Sequence, residues 1–407
     1  MNIDQIRALF PQLKQEVYGR RLVYLDNAAT SLRPASVLEK WQEMSIKYNS
    51  NIHRAVHKTA VDATEEYESS RAAVAAFIGA GTEEIIFTSG TTHSVNMLAV
   101  MLERASFFTE GDEILIAESE HHSNIVPWQM LSERKGLKIK VLPVDDRGEL
   151  QLSALPGLLT SRTILCCVAQ ISNVLGIVNP VEEIVRICHA NGTLVLVDGA
   201  QGVVHLHTDV KSIDCDFYAF SGHKMYAAPG TGVLYGKKRL LETLPPYMGG
   251  GEMIDSVGWE KTTFAPVPRR FEAGTQNLSG VPTFKPAIDI CKLLRGREIE
   301  DNSRSVCEYL DKFFSSREDI TVFGRPEDPS KKIPLFSIAV NGAHHEDLAL
   351  ILDKMGIATR SGQMCAEPLM DRFGVTGMLR ISFAPYNTLE EAEYFAECLQ
   401  KAINMLK

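Results

Sequence analysis

Short apolar runs of strand length alternate along this chain with segments whose apolar residues recur every three or four positions. IIFT (85–88), EILIA (113–117), KIKVLPV (138–144), TILCCVAQISN (163–173), LVLVD (194–198), FYAF (217–220) and TGVLYGKK (231–238) are the strand-like runs. Helical spacing covers 34–48, 58–79 and about 282–294, and further helical stretches separate the runs between 89 and 194. This alternation predicts βαβ units and a mostly parallel sheet flanked by helices. Unbroken Leu and Val in LVLVD predict a strand buried on both faces. Ile3 to Phe10 predicts a short helix, and LVYLDNAAT (22–30) a strand running into a turn. Near residue 295 the pattern changes. A helix over 298–316 is followed by TVFG, LFSIAV, a helix over 345–355, IATRSG, MLRISFA and a last helix from about Leu389. This predicts a smaller α+β unit with a partly antiparallel sheet, against which the first twenty or so residues pack. The fold class is therefore α/β with a small α+β appendage.

Chemistry collects where the apolar runs end. LVLVD closes on Asp198, and Phe217–Phe220 leads into Ser221-Gly222-His223-Lys224. In open α/β sheets, ligands sit beyond the carboxyl ends of the strands. A carboxylate placed for a ring nitrogen, with a lysine able to form a Schiff base, is what pyridoxal phosphate asks of a protein. Taken singly, Asp-Gly reads as a turn and a lysine after a strand as a surface charge; together they favour the cofactor. Ser89-Gly90-Thr91-Thr92 follows IIF and precedes a helix from about Ser94, a phosphate site or a plain N-cap. His121 and His122 follow EILIA, and one imidazole could stack on a planar cofactor. Asn173 ends the TILCCVAQISN run. Ala28, in Asn27-Ala28-Ala29, lets backbone approach a ligand or simply turns. His53 and Arg54 read as solvated loop, and Gly274-Thr275 as a second phosphate contact.

Eight cysteines occur, at 166, 167, 188, 215, 291, 307, 365 and 398, with no CxxC pair, so a zinc site is not expected. Cys166, Cys167, Cys215, Cys291, Cys307 and Cys398 read as packing residues. Cys365 differs: it lies in the polar, glycine-interrupted ATRSGQMCAEPLM (358–370), with Arg360 before it and Glu367 after it. A cation nearby favours thiolate; a bystander cysteine in a loop, the more common case, fits the same residues. Arg380, inside MLRISFA, is an edge residue or a clamp for a carboxylate. A net charge of −9 argues against nucleic acid as the main partner. No apolar run has the roughly 20 residues that span a bilayer, and the start lacks a signal-type apolar core, so a cytosolic location is expected.

Jointly, SGTTHSVN, EHHSNIVPWQ, ISNVLG, VDGAQ, DFYAFSGHKMY, RFEAGT, RSGQMCAEPLM and LRISFAPYN resemble the class V aminotransferase group of fold-type I pyridoxal phosphate enzymes, and within it the group II, Suf-type cysteine desulfurases that feed iron–sulfur cluster assembly. The resemblance runs almost the full length. It implies a large cofactor-binding domain over 22–294, and a small domain of 1–21 and 295–407 carrying the cysteine loop. It implies a twofold homodimer with shared active sites, L-cysteine as substrate, or L-selenocysteine in a selenocysteine lyase, and a sulfur-acceptor protein or iron–sulfur scaffold as partner. Lys224 would bond the cofactor, Asp198 pair with its pyridine nitrogen, His121 stack on the ring, and Gln201 and Asn173 surround its phenolic oxygen. Thr91, Thr92, Ser221 and His223 would hold the phosphate, with Thr275 reaching the partner subunit's. Arg380 would bind the substrate carboxylate, with Asn173 nearby, and Arg360, His53, Arg54 and Ala28 would line the substrate side. Cys365 matches the nucleophile that becomes a persulfide. Family members often carry histidines just before that cysteine; here Gln363 and Met364 stand there, leaving no histidine at that point to shuttle protons. Alternatives are another class V reaction, such as transamination or kynurenine cleavage, and a non-catalytic scaffold on the same fold, against which Lys224 and Asp198 speak.

Overall fold

The computed structural model describes residues 2–407. Its central sheet has seven strands: β1 (Ile85–Thr88), β2 (Glu113–Ala117), β3 (Lys138–Leu142), β4 (Thr163–Ala169), β5 (Leu194–Asp198), β6 (Phe217–Ser221) and β7 (Gly232–Gly236). Their spatial order is β1-β7-β6-β5-β4-β2-β3. The strands from β3 across to β6 run parallel, and β7 is antiparallel to both of its neighbours. Successive residues of a strand point to opposite faces. Val195 and Val197 of β5 accordingly enter one apolar core, with Val168 and Phe220, while Leu196 enters the other, with Phe217 and Ala219. Both faces are covered, which is why the strand reads as an unbroken apolar run. The edge strand β3 keeps Lys138 and Lys140, charges that discourage further pairing.

The smaller unit has β8 (Ile320–Phe323), β9 (Leu335–Val340), β10 (Arg360–Gly362) and β11 (Met378–Ser382), in the order β8-β9-β11-β10. Every pair is antiparallel, so the sheet is more uniform than the pattern suggests. Helices Arg297–Ser315 and Leu389–Leu406 bury Leu310, Phe314, Phe395 and Leu399 against Phe336 and Leu379. The last helix opens with a reciprocal cap between Thr388 and Glu391.

The N-terminal segment touches both units. Arg7 pairs with Glu391 at 2.6 Å, and the Phe10 ring lies 4.5 Å from Tyr386 and 5.8 Å from Tyr226. Two boundaries depart from the sequence pattern. β4 stops at Ala169, so Asn173 sits in the loop beyond it. The helix expected from Ser94 starts at Thr91, because Gly90, at φ +150°, makes the sharp entry. No helix of the described residues is long and apolar enough to cross a membrane.

Candidate active site

The carboxyl ends of β1, β2, β4, β5 and β6 open onto one cavity of about 200 Å³. Thirteen of the residues singled out from the sequence line it: Ala28, Thr91, Thr92, His121, Asn173, Asp198, Gln201, Ser221, His223, Lys224, Arg360, Cys365 and Arg380. At one end is a cradle of small donors. Ser221 Oγ accepts the Thr91 N–H at 2.8 Å and lies 2.8 Å from Thr91 Oγ1. Thr91 and Thr92 form the first turn of a 14-residue helix, whose leading N–H groups have no intrahelical partner. A Cβ on Gly90 would come within 3.2 Å of Ser221 Oγ, so glycine keeps the cradle open.

Asp198, buried at the tip of β5, accepts the Ala200 N–H at 2.8 Å. Lys224 lies one strand over, in the turn after β6. Burial pushes Asp198 up and Lys224 down from their ordinary pKa values, and each group's charge restrains the other's shift. Burial, aided by the Lys224 charge, drives His121 down to about 3 and His223 to about 4, so both imidazoles are neutral near pH 7. The Ser123 N–H donates to His121 Nδ1 at 3.1 Å, with Ser123 Oγ 2.8 Å from the same atom. The proton of neutral His121 therefore sits on Nε2. Glu120 is fully buried beneath, accepting from the Ala169 N–H at 2.6 Å and from Asn124 Nδ2 at 2.7 Å. Burial and the nearby Asp198 push it up to about 8. Gln201 Nε2 donates to Ala28 O, and Asn173 Nδ2 to Met364 O. Each of these amide nitrogens has a second hydrogen.

The smaller unit closes the other side. Arg360 and Arg380 stand directly opposite each other on β10 and β11. Like charges so placed repel, and a single carboxylate, Asp26, pairs with Arg380 at 3.0 Å. Arg380 Nη1 donates to Asn173 O at 2.9 Å, while its buried Nε has no partner among the described residues. Two guanidinium groups lining one cavity suit an anionic ligand. Cys365 is the exposed one of the eight cysteines, all of them free thiols. It occupies a tight turn in which the Ala366 N–H donates to Gln363 O at 3.0 Å. Both central residues, Met364 at φ +54° and Cys365 at φ +57°, are left-handed. That conformation costs about 1–2 kcal/mol for each non-glycine residue, so the turn is held by its surroundings.

His53, Arg54 and Thr275 do not line this cavity. His53 Nε2 is 2.9 Å from Glu68, Arg54 pairs with Glu252 at 3.1 Å, and Thr275 is exposed. Gly274 N–H donates to Gly251 O, so Arg54 and the Gly274-Thr275 turn lie beside the 249–252 loop, while the His53 ring turns inward, edge-on to Tyr67. The sequence reading missed Ser123, which fixes the His121 tautomer, and Glu120. Both lie inside the EHHSN motif, where a serine two residues after a histidine was the available signal.

The sequence matches the family described as aminotransferase class-V over residues 23–395. It is 43% identical over the whole of both chains to a probable cysteine desulfurase of Vibrio cholerae, and 42% identical to a cysteine desulfurase of Pectobacterium carotovorum, covering 99% of this chain and 98% of the other. Its fold is similar to the crystal structure of the cysteine desulfurase CsdA, in an S-sulfonic acid form, from Escherichia coli, with TM-score 0.90, 37% identity and full coverage of both chains. It is likewise similar to the apo cysteine desulfurase of Thermococcus onnurineus, with TM-score 0.91 and 36% identity over 98% of this chain and 99% of that one. With its motifs, sheet order and cleft all in agreement, the chain belongs to the class-V aminotransferase family, among its cysteine desulfurases.

Proposed function

We propose that the cleft binds pyridoxal phosphate and converts L-cysteine to L-alanine, with the sulfur leaving on Cys365 as a persulfide that supplies iron–sulfur cluster assembly. The observation that carries this is the meeting of Lys224, Asp198, Arg380 and Cys365 in one cavity, from two units of the chain. The residues fit the cofactor. Lys224 would bond it, Asp198 would pair with its ring nitrogen, and the Ser221–Thr91 cradle, with Thr92 and His223, would take its phosphate. Neutral His121 would cover the ring, and the second amide hydrogens of Gln201 and Asn173 would serve its phenolic oxygen. Once bound, the cofactor supplies an electron sink for charge developing at the substrate Cα.

The chain's own groups do the rest. Arg380, with Arg360 opposite, binds and orients the substrate carboxylate. Lys224, whose amine burial makes easier to deprotonate, takes the Cα proton and returns one to the product. The Cys365 thiolate attacks the substrate sulfur. A sulfur–sulfur bond forms as the Cβ–S bond breaks, the electron pair stays with the carbon skeleton, and protonation of that skeleton leads to alanine. The persulfide then passes to a thiol of an acceptor protein. His53, Arg54 and Thr275, which stand apart from this chain's own cavity, complete the site of a second copy in a homodimer working in the cytosol.

Mass spectrometry of Cys365 after incubation with L-cysteine tests the reading: one added sulfur atom is expected, and an unmodified thiol overturns it. Lys224→Ala should lose the visible absorption band of the bound cofactor. Cys365→Ala should keep that band and stop sulfide release, and full activity in this variant would remove the persulfide step.

A further inference from the structure

The strained turn at Cys365 has partners on the larger unit, and one of them has no role in the chemistry above. The His122 backbone N–H donates to Cys365 O at 2.7 Å. Its ring Nε2 accepts the Glu367 N–H at 3.0 Å. One residue thus holds the chain at two points, the carbonyl of the nucleophile itself and the N–H two residues after it, and it does so from the loop after β2. The Glu367 N–H opens the helix Glu367–Phe373 and has no intrahelical acceptor, so the imidazole answers a real vacancy. Met364 O is held separately, by Asn173, and Gln363 Nε2 reaches Glu367 Oε1 at 3.1 Å. Asn173 thus holds the peptide that enters Cys365, while His122 holds the peptide that leaves it.

We infer that His122 is a positioning residue: it clasps the left-handed turn so that Cys365 faces the cleft, and its release frees the turn to carry sulfur outward. The inference rests on Cys365 being the nucleophile. His122 does not line the cavity, so it acts through the turn and not on the reacting atoms. Nε2 must be unprotonated to accept, which places the ring proton on Nδ1. Because His121 and His122 are adjacent, the group covering the ring and the clasp on the nucleophile share one stretch of backbone. Orientation of a nucleophile against its target atom is where a small displacement costs rate.

The test uses the holoenzyme as a dimer and compares wild type, His122→Ala and His122→Gln; glutamine keeps an acceptor at similar reach. In His122→Ala, amide hydrogen exchange over residues 363–368 should quicken about five- to tenfold, the scale of one lost hydrogen bond. Its kcat should fall by a similar factor with KM, the cofactor band and the melting temperature near wild type. His122→Gln should recover both the slow exchange and the rate. Wild-type exchange in a folded His122→Ala overturns the clasp, as does fast exchange in a folded His122→Gln. Should His122→Ala lose the cofactor band, the Gln variant alone decides: wild-type exchange and rate support the clasp, and faster exchange overturns it. An active Cys365→Ala would instead remove the nucleophile while leaving the exchange result readable.

Discussion

Arg380 is gripped by Asn173 O at one end of its fork and by Asp26 at the other, with Nε left over. Lysine would keep the charge and lose the planar fork. Arg380→Lys is therefore expected to lower kcat/KM about 10–100-fold, mainly through KM, with the cofactor band intact. Steady-state kinetics with L-cysteine checks this, and a loss confined to kcat would move Arg380 away from the carboxylate. Asp26 stands in the quoted LVYLDNAAT stretch, yet nothing in the sequence names its partner, which lies 354 residues further on. Lys224 and Asp198 were legible because each sits where an apolar run stops, a local signal. Glu120 and Ser123 were not, since their meaning depends on the Ala169 N–H and on a ring tautomer, both products of folding.

Elements buried on both sides were legible almost to the residue: LVLVD is β5 and LFSIAV is β9. The end of β4 was not, because Ile171 continues the apolar pattern after the ladder has stopped, serving a small cluster with Ala28, Ile333 and Leu335. Nor could spacing show that Met364 and Cys365 take a backbone form usually left to glycine or asparagine. Tertiary contacts impose it. The tip of β5 offers a test at this scale. A Cβ on Gly199 would lie 1.9 Å from the Tyr218 ring, whose hydroxyl donates to Gln170 at 2.6 Å. Gly199→Ala must push ring or strand aside, so a loss of about 1–3 kcal/mol in stability is expected, read from the urea unfolding midpoint. Because Asp198 precedes it, the same variant should weaken cofactor retention. An unchanged midpoint would mean that the β5 tip is looser than its packing indicates.

Across the whole molecule, burial of neutral histidines sets a direction for pH. His205 lies outside the cleft, where burial and the Arg295 charge bring it down to about 4. With His121 and His223, it refuses a proton that the unfolded chain accepts below about pH 6.5. Between pH 6.5 and about 4 the unfolded state thus binds more protons at these sites, and stability falls as the solution is acidified. Glu120 works the other way: at about 8 it holds a proton that an unfolded glutamate gives up above about 4.5, so it favours the fold on acidification within that window. The three histidines outnumber it near pH 5.5. Unfolding by urea should therefore need less denaturant at pH 5.5 than at pH 7.5. His205→Gln isolates one contribution without touching the cleft. It should flatten the slope of stability against pH by about one proton, or about 1.4 kcal/mol per pH unit between pH 6.5 and 4. A slope identical to wild type would show that His205 takes up its proton in the folded chain, and would assign the acid sensitivity to the two histidines of the cleft.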